Sequence, residues 1–120
     1  MNDKIIKIKS FDFALRVVNL YKFLYNEKKE YVLSKQLLRS GTSIGALVLE
    51  AEQAESKLDF IHKLAIAQKE ENESDYWLEL LFQSKYLNET QFQSLKKNII
   101  EINKIVASII ITTKQRIGKK

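Results

Sequence analysis

Residues 92–110 read FQSLKKNIIEINKIVASII, and this stretch decides the fold class. Its apolar residues recur in alternating steps of three and four, which is the period of one buried helical face. The repeating positions are Phe92, Leu95, Ile99, Ile102, Val106 and Ile109. Just upstream, Asn88 and Gln91 have the spacing of a helix-capping box. The stretch therefore predicts a helix over about residues 89–115.

The rest of the chain also favours long helices, because its 120 residues contain no proline and only three glycines. Turn-rich β architectures depend on both residue types. Ser10 is suited to cap the start of a first helix, and Ser56 with Asp59 forms a capping box for a third. The second helix is predicted despite Gly41 and Gly45, whose cost we expect the close approach of another backbone to explain. The predicted helices cover about residues 10–28, 31–55, 57–86 and 89–115.

Four helices joined by short connections make neighbouring helices antiparallel. The predicted fold class is all-α, an antiparallel up-down-up-down four-helix bundle that forms a single domain over residues 1–120. The last helix carries more apolar residues than one bundle face needs, which predicts an oligomer interface. The surplus residues are Ile100, Ile105, Ile110 and Ile111.

Charge is unevenly distributed along the chain, whose formal net charge is +5. Residues 50–79 hold nine acidic and three basic side chains, a balance of −6, so the remainder carries +11. This asymmetry indicates a charged partner. The chain has no cysteine, and residues 1–10 have no continuous apolar run, so the sequence favours a cytoplasmic protein without a signal peptide or a membrane span.

Several motifs resemble the four-helix-bundle proteins encoded in 23S rRNA intervening sequences. They are QLLRSGTSIGA at 36–46, Glu50-Ala51, SKLDFI at 56–61, Ile66-Ala67 and KEENESDYWL at 69–78. The resemblance covers about residues 10–113. It implies a four-helix bundle that assembles as a ring-like homopentamer, and kinship with the accessory variability determinant of diversity-generating retroelements, which works beside a reverse transcriptase and RNA. Leu47 departs from the family pattern, which usually has asparagine there.

A polar network is predicted between the second and third helices. Glu70 and Glu73 lie one helical turn apart, close to an apolar stripe, so we expect them to need a cation. The favoured interpretation makes Arg39 that cation; the alternative makes Arg39 a ligand for phosphate or RNA. The full predicted network is Arg39, Ser43, Glu50, Glu70 and Glu73. We expect the carboxylates of residues 70, 71 and 73 otherwise to form a solvated face.

Seven basic residues near the two ends of the sequence are the candidate nucleic-acid ligands, on segments that are candidates for disordered tails. They are Lys4, Lys7, Lys9, Lys114, Arg116, Lys119 and Lys120. The alternative is that these residues only keep the protein soluble. Because no base-reading motif occurs, we expect any binding to follow shape and to weaken with salt.

Aromatic residues and the lone histidine receive structural interpretations. Tyr76, Trp77 and Phe82 have helical spacing and are predicted to pack, with Trp77 placed between subunits. One histidine, His62, cannot supply the two Glu-x-x-His pairs of a ferritin-type metal centre. We therefore predict no metal site and a surface or interface position for His62.

The leading functional hypothesis is a homopentameric interaction protein whose basic surface binds structured RNA or DNA, together with a protein partner such as a polymerase. The runner-up is a structural or protein-binding oligomer in which charge asymmetry orders the subunits. An enzyme ranks third, because the sequence has no nucleophile elbow, phosphate loop or dinucleotide fingerprint. No catalytic residue and no cofactor is predicted.

Overall fold

The computed structural model describes residues 2–118, in which four α-helices account for all regular secondary structure. The helices are α1 (Asn2–Asn26), α2 (Leu33–Glu52), α3 (Lys57–Gln83) and α4 (Glu89–Gly118). The all-α four-helix bundle predicted from the sequence is confirmed. Each helix packs against its neighbours along the chain, and α1 also packs against α4, which closes the bundle.

Cross-helix contacts show that consecutive helices run in opposite directions. Lys7, near the start of α1, contacts Glu52 at the end of α2, whereas Val17, farther along α1, lies against Gly41, earlier in α2. The start of α1, the 53–56 connection and the end of α4 therefore share one end of the bundle, here called the tail end. The connections 27–32 and 84–88 share the opposite end, here called the loop end.

The core is a seam in which each helix buries residues in steps of three and four. Burying one large aliphatic or aromatic side chain stabilises a fold by about 1.5–3 kcal/mol, so this seam is the main source of stability. The seam residues of α1 are Ile6, Ser10, Phe13, Val17, Leu20 and Leu24, and those of α4 run from Phe92 to Thr113.

The predicted start of the first helix at Ser10 is wrong. Helix α1 begins at Asn2, and Ser10 is buried inside it, where its hydroxyl donates to the Lys7 carbonyl oxygen at 3.3 Å. Ile6 lies seven residues before Phe13 and is 2% exposed, so the apolar stripe continues toward the N-terminus. That stripe, rather than a capping side chain, extends the helix.

Caps fix the starts of the other three helices. Ser56 Oγ accepts from Asp59 N at 3.0 Å, and Asn88 with Gln91 forms a reciprocal box of 2.7 and 2.9 Å. Helix α2 begins two residues later than predicted because the Glu30 carboxylate accepts the backbone N–H groups of residues 32–34 at 2.7–3.1 Å. Burial opposes ionisation of Glu30, but these hydrogen bonds outweigh it and lower its pKa.

The two interior glycines of α2 meet different neighbours on α1. A Cβ at Gly41 would lie 2.9 Å from Val17 Cγ2, whereas one at Gly45 would lie 3.5 Å from the Ser10 carbonyl oxygen. Close approach therefore explains both glycines, but at Gly41 the neighbour is a side chain rather than the expected backbone. Helix α1 packs closely on α2 because these two positions lack side chains.

The surplus isoleucines of α4 do not form one exposed face. Ile110 is 7% exposed and belongs to the core, and Ile105 packs against it. Ile100 and Ile111 are exposed, at 45% and 57%. The prediction of a four-isoleucine interface is therefore wrong for Ile110. Within residues 2–118, no helix is both long enough and apolar enough to cross a membrane.

Candidate nucleic-acid interface

The basic residues from the two ends of the sequence meet at the tail end of the bundle. Lys4 lies in the first turns of α1, and Lys114 and Arg116 lie in the last turns of α4. The expectation of disordered tails is wrong for these residues, because both segments continue core-packed helices. Lys119 and Lys120 lie outside the described residues.

Part of the predicted basic patch is neutralised by acidic residues of the chain itself. Lys7 Nζ lies 3.1 Å from Glu52 Oε2, and Lys9 Nζ lies 3.2 Å from Glu101 Oε2. These pairs are solvent-exposed and contribute little to stability, but they reduce the charge offered to a ligand. In the part of the chain that the structure describes, the cations of the patch without an acidic partner are Lys4, Lys114 and Arg116.

The predicted polar network is only partly assembled. Arg39 donates to both Glu70, at 3.3 Å, and Glu73, and the Trp77 indole N–H also donates to Glu73 at 3.2 Å. This cluster ties α2 to α3 at the bundle surface, where the Arg39 side chain is 49% exposed. Arg39 therefore has internal partners and keeps one solvent-facing side.

The other two members of the predicted network lie outside that cluster. The Ser43 hydroxyl donates to the Arg39 backbone carbonyl at 2.6 Å, and Glu50 pairs with Lys63 at 3.5 Å. Ser43 thus satisfies its hydroxyl within its own helix. Glu50 forms a separate link between α2 and α3.

A buried polar layer, which the sequence interpretation missed, crosses the α2–α3 seam. The Ser74 hydroxyl donates to the Ser40 hydroxyl at 2.8 Å. Glu71, one turn before Ser74, is 0% exposed, and neither carboxyl oxygen has a hydrogen-bond partner. The expectation that Glu71 lies on a solvated face is wrong, because the 3,4 rhythm from Leu64 through Ala67 continues through it. Burial raises the pKa of Glu71 to about 8.

Exposed aromatic rings cluster at the loop end, next to lysines. Tyr25 and Tyr31 are 46% and 48% exposed, and their ring centroids lie 4.7 Å apart. Tyr21 extends the row at 5.8 Å from Tyr25, and the Lys28 ammonium lies 5.7 Å from the Phe23 ring centroid. The available sequence signal was the spacing of tyrosines 21 and 25, which share one helix face.

The three aromatic residues predicted to pack behave differently from one another. Phe82 stacks on Phe92 at 4.3 Å, and Trp77 packs against the core, so both serve the bundle interior. Tyr76 lies edge-on to Trp77 but is 58% exposed. The prediction of packing is therefore confirmed for Phe82 and Trp77 but wrong for Tyr76.

A groove of about 610 Å³ runs between α1 and α2 on the tail-end half of the bundle. Its floor contains small residues, Ser10, Ala14 and Gly45, and its walls include Phe11 and Leu49. Those two side chains are 63% and 51% exposed, which is high for large apolar residues.

Metal-binding groups do not converge within the described part of the chain. No cluster of three or more histidine, cysteine or acidic residues there has the geometry to hold a metal ion. His62 lies on the exposed side of α3, as predicted for a surface residue.

Comparison with known proteins gives two positive results. The family model described as 23S rRNA-intervening sequence protein matches residues 2–108. A crystal structure of a protein of unknown function from the S23 ribosomal protein family of Bacteroides thetaiotaomicron is 59% identical to this chain, with a TM-score of 0.91. That likeness covers 92% of this chain and 98% of the other. No functionally curated protein matches the chain.

Proposed function

The chain belongs to the 23S rRNA-intervening sequence protein family, and on this premise we propose that it is a homopentameric interaction protein that binds structured RNA or DNA. It carries out no reaction itself and works with a protein partner such as a polymerase. The observation that carries this proposal is a set of solvent-exposed cations without acidic partners on the folded bundle of a chain whose net charge is +5.

The charge distribution supports a nucleic-acid partner. Lys4, Lys114 and Arg116 converge from two helices at the tail end, so a rigid surface presents them together. Cations presented in this way bind phosphates and release counterions, which makes affinity fall steeply with salt. Five copies at +5 each would carry +25, and a ring would repeat every weak interaction.

The α1–α2 groove supports self-assembly. A closed ring requires two different patches on each copy that fit one another, and an apolar concavity walled by Phe11 and Leu49 suits one of them. The exposed Ile100 and Ile111 of α4 lie on another helix and suit the second patch. Burial of these side chains on association would remove apolar surface from water.

Burial of Glu71 supports a role without catalysis. This carboxyl group has the strongest pKa shift in the described residues, which is often the mark of an active site. It is fully enclosed, however, so no substrate can touch it in the folded bundle. The two serines beside it donate and accept hydrogen bonds within the protein.

The proposed protein partner rests on the resemblance to the accessory variability determinant, and the proposed cellular location rests on composition as well. Kinship with the accessory variability determinant would place this protein beside a reverse transcriptase and RNA in the cytoplasm. The cysteine-free composition is compatible with that reducing compartment.

Size-exclusion chromatography with light scattering tests assembly and binding together, with and without structured RNA at low and moderate salt. A pentamer that shifts with RNA only at low salt supports the proposal. A pentamer that ignores RNA favours the alternative, a purely structural or protein-binding oligomer. A monomer removes the proposed assembly.

Two matched variants locate the subunit interface. Phe11→Asp places a charge in the groove, and Ile111→Asp places one on α4; both residues are exposed in the monomer, so folding should survive. A ring that uses both patches dissociates in either variant. If only Ile111→Asp dissociates it, the groove does not join subunits.

A further inference from the structure

The loop end has an excess of positive charge that the protein does not neutralise. Residues 22–36 and 84–91 contain five lysines and three glutamates. In the described part of the chain, none of these lysines forms a salt bridge; they are Lys22, Lys28, Lys29, Lys35 and Lys85. The tail-end patch, by contrast, pairs Lys7 and Lys9 with acidic residues.

Glu30 contributes little to the charge that a ligand would meet. Its carboxylate is 7% exposed and accepts three backbone N–H groups at the start of α2. Within these two segments, the acidic residues that remain exposed are Glu27 and Glu89. The solvent-facing balance is therefore more positive than the sequence count.

Two of the lysines occupy backbone positions that disfavour any residue with a side chain. Lys29 has φ of 56° and Lys85 has φ of 73°, and each follows the C-terminal end of a helix. Glycine is the usual residue at such positions, because a Cβ costs about 1–2 kcal/mol there. Lysine at both connections thus destabilises the fold, which indicates that the two side chains have a function there.

Exposed aromatic rings next to these lysines in the sequence suit the base of a nucleotide, as the lysines suit its phosphate. Tyr25 and Tyr31 keep about half of their surface in solvent, although large aromatic rings usually bury theirs. Unpaired bases stack on such rings, while a neighbouring positive charge holds the phosphate. A duplex cannot use the rings in this way, because its bases are already stacked.

We propose that the loop end binds unpaired nucleotides of RNA, with bases stacked on Tyr25 and Tyr31. Lys28 and Lys29, with Lys85 from the second connection, bind the phosphates. This inference rests on the proposed nucleic-acid function and assigns it a site and a ligand class. The bundle measures about 23 by 19 Å along its two short axes, so two connections at the same end lie within reach of one short single strand.

Fluorescence anisotropy with a labelled single-stranded RNA of about twelve nucleotides, and with the same strand annealed to its complement, tests the proposal. The first variant is Tyr25→Leu with Tyr31→Leu. We expect it to bind the single strand about five- to a hundredfold more weakly than wild type, because neither leucine can stack on a base. Binding to the duplex should change less than twofold.

The second variant, Lys29→Gly with Lys85→Gly, separates binding from folding. We expect its thermal midpoint to rise, because glycine relieves both backbone positions, while its affinity for the single strand falls. The slope of log affinity against log salt should decrease in magnitude by about 0.7 for each phosphate that the variant no longer neutralises. The matched control, Lys69→Gln with Lys104→Gln, removes the same formal charge from exposed positions in the middle of α3 and α4 and should leave single-strand affinity within twofold.

The outcomes separate this inference from the proposed function. If wild type binds neither probe, the nucleic-acid function fails and this site fails with it. If wild type binds the single strand and both loop-end variants bind it as tightly as wild type, the function stands and the loop-end site is wrong. If the tyrosine variant changes the mass measured by light scattering but not RNA affinity, the rings join subunits, which also overturns the inference.

Discussion

Replacing Glu71 by glutamine should stabilise the protein, and the gain should grow with pH. The folded protein holds this carboxyl group away from water with no partner, and burial raises its pKa from 4.5 to about 8. The unfolded chain loses the proton near pH 4.5, whereas the folded chain keeps it until about pH 8. The contribution of Glu71 to stability is therefore most favourable below pH 4.5 and becomes less favourable as pH rises through that window.

The size of the effect follows from the shift. Each pH unit between the two pKa values costs about 1.4 kcal/mol. The penalty is then about 3 kcal/mol at pH 7, and it levels off at about 5 kcal/mol above pH 8. Glutamine has nearly the same shape and cannot ionise, so Glu71→Gln removes this dependence while leaving packing almost unchanged.

Urea denaturation followed by helical circular dichroism, at fixed protein concentration from pH 4.5 to pH 9, measures the difference. The quantity of interest is the free energy of unfolding of Glu71→Gln minus that of wild type. We expect this difference to be about 3 kcal/mol larger at pH 7 than at pH 4.5. Glu27→Gln is the control, because it makes the same substitution at a glutamate that is exposed rather than buried. Parallel curves for wild type and Glu71→Gln would refute the reasoning, since they would mean that the buried carboxyl group has a partner.

Three further predictions concern the backbone and a cap. Gly41→Ala should destabilise the protein by about 1–3 kcal/mol in urea denaturation, because the new methyl group meets a valine of α1 at 2.9 Å. Gly45→Ala, whose new methyl group has neighbours at 3.5 Å, should be neutral or stabilising. Equal destabilisation by the two substitutions would contradict this prediction. Lys29→Gly and Lys85→Gly should each raise stability by about 0.5–1 kcal/mol, and no rise in either would show that the positive φ carries no cost. Glu30→Ala should lower the free energy of unfolding by about 1–2 kcal/mol at pH 7. Since the pKa of Glu30 is lowered, this difference from wild type should shrink as pH falls below 4.5. A difference that stays constant down to pH 3 would exclude the charged cap.

Local sequence signals predicted most of the fold. The capping pairs at Ser56 and Asn88 and the apolar stripe of α4 involve residues a few positions apart, so sequence spacing describes them fully. The start of α1 was missed because Ile5, Ile6 and Ile8 alternate with lysines, a pattern without a clear helical stripe, and only Ile6 of the three is buried. Glu30 was missed because a cap from a residue preceding the helix by three positions departs from the usual spacing.

The site depends on distances that sequence spacing does not contain. The Arg39 cluster was predictable because carboxylates one turn apart on a single helix create a local need for a cation. Pairing of Lys7 with Glu52 and of Lys9 with Glu101 joins separate helices, so a count of lysines overstated the free charge. The burial of Glu71 follows from its place in the 3,4 repeat of α3, whereas its polarity alone predicts exposure.

The serine pair between α2 and α3 bears on which turn of one helix faces which turn of the other. All four seams repeat with the same period, so wholly apolar seams would match nearly as well after α3 slides by one heptad. The Ser74 hydroxyl finds its acceptor on Ser40 in one alignment only, and a slide leaves it buried and unbonded at a cost of about 1–3 kcal/mol. Replacing both serines by alanine would therefore yield a bundle about as stable as the natural one, in which α3 could pack against α2 in more than one register.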